Sequence, residues 1–193
     1  MKSKSTEITD RFPIVFYLVL CTMFVFSIAF STRVYAASAK EIDASVDTAL
    51  ERFYKQVKGG KEIAGKAKGL LIMPNVKKAA FIIGGEYGAG ALRVGGKTVD
   101  YYNIVSGSVG FQIGAQAKDI IIVFMTAEAL KKFRAGKGWE AGVDGNVAMF
   151  TVGAGEVATS LTDKEPIVGF VYDVKGLIGD LSIKGAKFTK LEK

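Results

Sequence analysis

Apolar side chains recur every three or four residues after a helix-start motif near residue 38. Ser38 precedes Glu41 by three positions, the spacing of a capping box. The apolar positions that follow at helical spacing are Ile42, Val46, Ala49, Leu50 and Phe53. Gly59-Gly60 interrupts this pattern before a second, shorter stripe. The spacing predicts two amphipathic helices, one to about residue 55 and one over 61–68. Such a stripe could enter a bilayer, but packing on the protein's own core is favoured.

From residue 69 the apolar positions follow the periodicity of strands. Residues 69–73 form a short apolar run, and Pro74-Asn75 predicts a turn after it. Apolar and polar positions alternate most regularly over 108–117, which predicts one half-buried strand. Lys118-Asp119 then predicts a turn into a central strand over 120–125. Further strands are predicted at 78–83, 90–94, 98–105, 142–152, 166–173, 177–183 and 186–191, with a hairpin turn at Gly95-Gly96.

A third helix is predicted after residue 125. Thr126 can cap its start, Leu130 and Phe133 would face inward, and Gly136 would end it. Helices flanking about nine short strands predict an α+β fold that is β-dominated and largely antiparallel. Glycines at alternate strand positions favour a strongly curved or barrel-like sheet. The expected architecture is such a sheet with N-terminal helices and one further short helix.

The first 36 residues have the layout of a secretory signal peptide. A basic start precedes residues 13–31, which carry no charge, and small-x-small patterns follow at 34–36 and 37–39. We expect cleavage after Ala36, which leaves a domain over 37–193 in the periplasm or secreted. The alternative is an uncleaved anchor, because about 20 apolar residues can cross a membrane. Lipid attachment at Cys21 is disfavoured because the preceding Leu20 is bulky.

The positive charge of the domain is concentrated in one segment. Residues 52–78 have a net charge of +7, with Glu62 as the single acidic residue, whereas the rest of the domain after residue 36 has a net charge of −2. An anionic partner is therefore predicted, and the candidate contact residues are Arg52, Lys55, Lys58, Lys61, Lys66, Lys68, Lys77 and Lys78. An ordinary solvated helix face is the alternative. Nucleic acid would fit the charge, but export argues against it.

Composition excludes several kinds of chemistry. The chain has no histidine and a single cysteine, Cys21, so histidine-dependent triads and histidine-ligated or thiolate zinc sites are excluded. The glycine-rich residues 84–90 lack the ending of a P-loop, and a bulge or close backbone approach explains them better. A carboxylate pair for hydrolysis remains a minor alternative, with candidates Glu86, Asp100, Glu140 and Asp144. Trp139 is interpreted as a core residue at the start of a strand. We predict no enzyme activity, cofactor or metal.

Several blocks along the chain resemble those of the SYLF-domain family. The blocks are KGLLIMP at 68–74, GGEYGAG at 84–90, SVGFQIGAQ at 108–116, FMTAEAL at 124–130, GVDGNVA at 142–148 and KGLIGDLSIKG at 175–185. The resemblance covers essentially residues 40–192.

The resemblance implies lipid binding. Eukaryotic members bind phosphoinositides through a basic, amphipathic N-terminal part, and fungal members also bind and bundle actin. The matching segment here is the capped helix with residues 52–68. This chain lacks an attached SH3 or FYVE domain and carries an export-type N-terminus, so it resembles exported bacterial members, and actin is disfavoured as a partner. The expected function is binding of an anionic lipid membrane. An envelope structural or protein-interaction module is the alternative, and no oligomeric state is predicted.

Overall fold

The structure is a computed structural model that describes residues 37–80, 83–109, 114–152, 165–176 and 183–192. These residues belong to one compact unit that begins at Ala37. The predicted signal peptide lies outside the described residues. The elements in chain order are α1 (Ala39–Gln56), α2 (Gly60–Lys66), β1 (Gly69–Ala80), β2 (Ile83–Val94), β3 (Lys97–Val109), β4 (Gly114–Phe124), α3 (Ala127–Ala135), β5 (Gly138–Glu140), β6 (Ala148–Thr151), β7 (Ile167–Gly176) and β8 (Lys187–Leu191).

The strands form one sheet in the order β5-β8-β3-β2-β1-β4-β7-β6. Neighbouring strands are antiparallel, except for the parallel pair β6 and β7. The sheet curls through 205° as a half-barrel. The predicted α+β class with a curved, largely antiparallel sheet and N-terminal helices is thus confirmed.

Helix α1 begins at the predicted capping box. The Ser38 backbone N–H donates to Glu41 Oε2 over 2.7 Å, and the Glu41 backbone N–H donates to Ser38 Oγ over 3.3 Å. The buried residues of α1 are Ile42, Val46, Ala49 and Phe53, each no more than 3% exposed. The apolar stripe of α1 therefore packs on the core, as the interpretation of the sequence favoured.

Each face of the sheet carries its own apolar cluster. Ile72, Ile121 and Phe170 lie on the face covered by α1 and α2. On the opposite face, Leu71, Ile122 and Phe188 pack with α3 residue Phe133 and with Trp139 of β5. Successive side chains of a strand point to opposite faces of the sheet, so each strand contributes to both clusters. Trp139 is 4% exposed, which confirms its interpretation as a core residue of a strand.

The turn predicted at Pro74-Asn75 is wrong, because β1 continues through it. The pairing register of β1 shifts between Ile72 and Lys77 against β2, and Asn75 has a φ of 48°. This is a β-bulge, in which an extra residue bends a strand without ending it. The turn predicted at Lys118-Asp119 is also wrong, since both residues lie within β4. The Asn75 backbone N–H donates to Asp119 Oδ1 over 2.8 Å, so these two polar positions stabilise the bulge.

Two predicted strands straddle chain reversals. The strand predicted over 108–117 is divided between the end of β3 at Val109 and the start of β4 at Gly114, with 110–113 outside the described residues. The strand predicted over 78–83 is likewise divided between β1 and β2. The strand predicted over 142–152 is shortened to β6, because Gly142, at a φ of 86°, lies in a turn. Most of the strand predicted at 177–183 falls outside the described residues.

Other local predictions are confirmed. Gly95 and Gly96 have φ values of 58° and 79°, as a type I′ hairpin turn between β2 and β3 requires. Helix α3 begins after Thr126, whose side chain accepts a hydrogen bond from the Ala129 backbone N–H. An added Cβ at Gly90 would collide with the Ile72 carbonyl oxygen, so the close backbone approach expected in the glycine-rich stretch occurs there.

Candidate lipid-contact surface

The eight candidate cationic residues do not form one cluster. Six of them are exposed: Lys55, Lys58, Lys61, Lys66, Lys68 and Lys77. Lys68 and Lys77 lie on the same extended segment, nine residues and therefore roughly 30 Å apart. Lys55, Lys58 and Lys61 form the compact subset, since they surround the turn that joins α1 and α2.

Arg52 attaches α1 to the sheet. Its guanidinium contacts Asp119 of β4 at 2.6 Å and Asp173 of β7 at 3.2 Å. Partial burial acts to lower the pKa of Arg52, but the hydrogen bond and attraction to Asp119, together with Asp173, outweigh burial and raise that pKa. Arg52 is thus held in an internal ion-pair network with Asp119 and Asp173.

Lys78 lies on the sheet face opposite α1, the face to which Val76 also belongs. Its ammonium is 3.7 Å from Glu86 Oε1, and the buried Lys118 ammonium is 3.0 Å from the same oxygen. All three side chains are at least nine-tenths buried. Among the described residues, Glu86 Oε2 and the Gln116 side-chain nitrogen have no hydrogen-bond partner. Lys78 therefore serves an internal charge cluster and does not reach the surface that faces solvent.

The charges of the compact subset are available to a ligand. Within the described ranges, no carboxylate pairs with Lys55, Lys58 or Lys61. Lys66 differs, because its ammonium lies 3.2 Å from Glu62 one helical turn away. An exposed pair of this kind contributes little to stability.

Two exposed apolar side chains beside Lys77 were missed by sequence reasoning. Tyr87 of β2 lies opposite Lys77, and Val105 of β3 lies opposite Tyr87. Tyr87 is 54% exposed and Val105 is 50% exposed. The alternation of apolar and polar positions does not show whether these two side chains are buried or exposed. The pairing register shows that they are neighbours, and their exposure shows that α1 does not cover them.

The four candidate carboxylates do not meet in one cleft. Glu86 binds the two buried lysines, whereas Asp100 pairs with Arg134 and Lys190. Glu86 lies opposite Ser106 on β3, six residues from Asp100, which separates the two by roughly 20 Å. Asp144 accepts a hydrogen bond from the Glu140 backbone N–H and lines a cleft of about 280 Å³ beside α3. Glu86 and Asp100 are therefore too far apart to form the two-carboxylate arrangement that hydrolysis would need.

The C-terminal part of the chain matches a known family model. Residues 105–193 match the family model described as Ysc84, Las17-binding protein actin regulator. The match confirms the resemblance to the SYLF-domain family, which is generally a family of lipid- and actin-binding domains. No curated protein matches the chain.

The described ranges lack two features, a membrane-crossing helix and a cluster of metal-ligating side chains. No helix in these ranges is long and apolar enough to cross a membrane. The same ranges contain no group of three or more aspartate, glutamate, cysteine or histidine side chains placed to hold a metal ion.

Proposed function

We propose that this protein is an exported, non-enzymatic lipid-binding module that recognises anionic phospholipid or phosphoinositide-like headgroups. The contact set is Lys55, Lys58 and Lys61 at the α1–α2 turn, with Lys66, Lys68 and Lys77 as outlying contributors. The observation that carries the proposal is the exposure of these lysines in a segment of net charge +7. The family match over residues 105–193 supports a binding function.

The energetics favour a membrane over a single small ligand. Each lysine near an anionic surface contributes about 1 kcal/mol before screening, so three to five acting together can retain a protein there. A flat array of phosphates can engage separated cations at the same time. The interaction is electrostatic and therefore weakens as salt shortens the Debye length.

Vesicle flotation with matched variants tests this mechanism. The variant K55Q/K58Q/K61Q removes three positive charges from the α1–α2 turn, and K97Q/K131Q/K137Q removes three from exposed positions elsewhere. We expect the first variant to lose at least tenfold in affinity for vesicles containing phosphatidylserine, and the second to lose much less. Equal losses would show that net charge, and not the α1–α2 turn, determines binding.

Export belongs to the same proposal. The basic start, the uncharged residues 13–31 and the small-x-small patterns support a cleaved signal peptide, with an anchor over 13–31 as the alternative. Intact mass spectrometry of the protein purified from its native host tests this. A mature N-terminus at Ala37 is expected, and a full-length mass would favour the anchor.

A protein partner is the second candidate. The family description names an actin regulator that binds another protein, so the basic surface could meet a protein or an acidic polymer in the envelope. Export argues against actin as that partner. Cross-linking in whole cells distinguishes the candidates, because a protein partner would give a discrete adduct that survives loss of vesicle binding.

A further inference from the structure

We propose that the part of the α1-side sheet face that α1 leaves uncovered is a second lipid-contact surface, which places Tyr87 and Val105 in the headgroup region of an anionic bilayer. This inference rests on the proposed function and adds to it an apolar contact and an orientation. The surface is a row of residues that face one another across six strands, which we call the sheet row. Its members in spatial order are Lys187, Val105, Tyr87, Lys77, Ala117 and Lys175.

Strand pairing places these residues in one line. Lys187 of β8 pairs with Val105, which pairs with Tyr87, which pairs with Lys77. Lys77 then pairs with Ala117 of β4, which pairs with Lys175 of β7. Because neighbouring strands are about 4.8 Å apart, the sheet row spans roughly 24 Å.

The central residues of the row lie on the same side of the sheet as α1. On β2, Ala91 belongs to the cluster under α1, and Tyr87 precedes it by four positions, so both face the same side. On β3, the Tyr101 hydroxyl donates to Asp43 of α1 over 2.8 Å, and Val105 follows by four positions. Helix α1 does not extend over Tyr87 and Val105, since both side chains remain about half exposed.

The position of Lys77 follows from its neighbours on β1. Val76 packs in the cluster on the face opposite α1, and Lys78 contacts Glu86 on that face. Lys77, between them, points outward and is exposed. A cation thus lies directly beside the exposed aromatic ring.

This combination fits the interface of an anionic bilayer. Single exposed apolar residues are ordinary, but here an aromatic and a β-branched side chain face each other with lysines on both sides. Tyrosine is enriched at headgroup level, where its ring meets apolar surroundings and its hydroxyl meets water. Lysine stems can lie along apolar surface while their ammonium groups reach phosphates.

Charge is greatest at the centre of the row. Lys175 pairs with Asp173 at 3.1 Å, and Glu140 of β5 lies opposite Lys187, so both ends are partly balanced. In the part of the chain that the structure describes, no carboxylate pairs with Lys77. The centre therefore combines a full positive charge with the exposed apolar pair.

The sheet row adjoins the α1–α2 turn. Asp173 contacts both Arg52 of α1 and Lys175 of the row. The Asp173 backbone N–H also donates to the Gln56 side chain in the last turn of α1, over 3.3 Å. The last turn of α1, which carries Lys55, thus lies beside the β7 end of the row, and one membrane surface could meet both sets.

Flotation of Y87S/V105S tests the apolar contact. We expect about five- to tenfold weaker binding to vesicles of phosphatidylcholine and phosphatidylserine than for wild type, with the difference retained at high salt because burial of apolar surface is not screened. The matched control is V99S/V143S, which alters two other exposed valines, 40% and 73% exposed, and should bind as wild type. Circular dichroism and urea midpoints establish that each variant is folded.

A second measurement does not require a variant with reduced affinity for vesicles. In a full chain carrying C21S, an environment-sensitive fluorophore on V105C should shift to the blue on vesicle binding, and the same fluorophore on V143C should not. The inference is overturned if Y87S/V105S floats like wild type or the V105C label does not respond while the protein is bound. Loss of binding by K55Q/K58Q/K61Q under those same conditions would leave the proposed function standing. Failure of the wild-type chain to float would overturn both.

Discussion

Several buried side-chain polar atoms of the described residues have no hydrogen-bond partner, and such an atom loses its hydration on folding. The Tyr102 ring on β3 is buried among apolar side chains, and among the described residues its hydroxyl has no hydrogen-bond partner. Its ring lies 4.8 Å from that of Phe133. The ring therefore contributes to the core, whereas the hydroxyl loses its hydration without compensation.

Replacing Tyr102 with phenylalanine is expected to stabilise the fold by about 1 kcal/mol at neutral pH, since the desolvation of an unbonded hydroxyl is removed. Burial, with the negative charge of Asp100, raises the pKa of Tyr102 to about 12 despite the opposing effect of Arg134. In the unfolded chain the phenol ionises near pH 10. Wild type therefore loses stability as pH rises from about 10 to 12, because the unfolded state releases its proton first.

The check is urea unfolding of wild type and Y102F at pH 7 and pH 11. The advantage of Y102F should be larger at pH 11, because the variant lacks this alkaline loss. Y87F, at an exposed tyrosine, provides the comparison. A destabilised Y102F would show that the hydroxyl has a partner.

The second residue-scale prediction concerns Glu86. Two buried ammonium groups, those of Lys118 and Lys78, approach one of its oxygens. Substitution by glutamine leaves these charges without a carboxylate, and removing one partner from a buried ionic contact costs about 3–5 kcal/mol. We expect E86Q to lower the urea midpoint strongly, whereas E62Q, which alters an exposed pair, should leave it nearly unchanged. Similar midpoints for E86Q and wild type would show that the cluster does not need this charge.

At the scale of elements, bulges and close approaches determine how the sheet curves. The bulge of β1 occurs where Asn75 adopts a φ of 48°, and Asp119 accepts its backbone N–H. Asp119 also binds Arg52, so one carboxylate stabilises the bulge and fixes α1 above it. Loss of this carboxylate would affect two elements at once.

Substitution of Gly90 tests the close approach of strands β1 and β2. An added Cβ would meet the Ile72 carbonyl oxygen and, at 2.7 Å, the Met73 sulfur, so the strands β1 and β2 would have to separate. We expect G90A to destabilise the protein by more than 2 kcal/mol, by analogy with overpacked cores. At Gly107 an added Cβ would meet no atom within 4 Å, so G107A should be neutral or slightly stabilising. Urea denaturation compares the two, and equal effects would contradict the close approach.

Sequence patterns predicted the kinds of elements well and their ends poorly. The local sequence was sufficient to predict the helix caps at Ser38 and Thr126 and the turn at Gly95-Gly96, because each depends only on residues that are close along the chain. Alternation at 108–117 carries no information about where the chain reverses, and Pro74-Asn75 suits a bulge as well as a turn. These outcomes depend on strand partners that are distant in sequence.

The candidate site shows the same division. Exposure of Lys55, Lys58 and Lys61 follows from local helical spacing. Arg52 has similar spacing, but it pairs with Asp119, 67 positions away along the chain. The neighbourhood of Lys77, Tyr87 and Val105 likewise requires the pairing register of three strands. Charge patterning therefore located the basic segment, and the fold determined which of its cations are available.

At the scale of the whole molecule, internal and external charges have separate roles. Arg52 attaches α1 to the sheet, and Lys78 belongs to the buried charge cluster around Glu86. The lysines of the α1–α2 turn and Lys77, in contrast, are exposed on the side of the sheet that carries α1. The proposed binding surface therefore combines cations around a helical turn with an exposed apolar pair on the sheet. A bilayer can engage both parts at once.

Co-flotation of the wild-type protein with vesicles of increasing phosphatidylserine content, at two salt concentrations, tests the central claim most directly. Binding should rise steeply with the anionic fraction at low salt, and it should fall severalfold as salt is raised from about 0.1 M to about 0.5 M, where the Debye length is reduced by roughly half. Equal recovery with pure phosphatidylcholine vesicles, or no recovery with anionic vesicles at low salt, would contradict recognition of anionic lipid by exposed lysines.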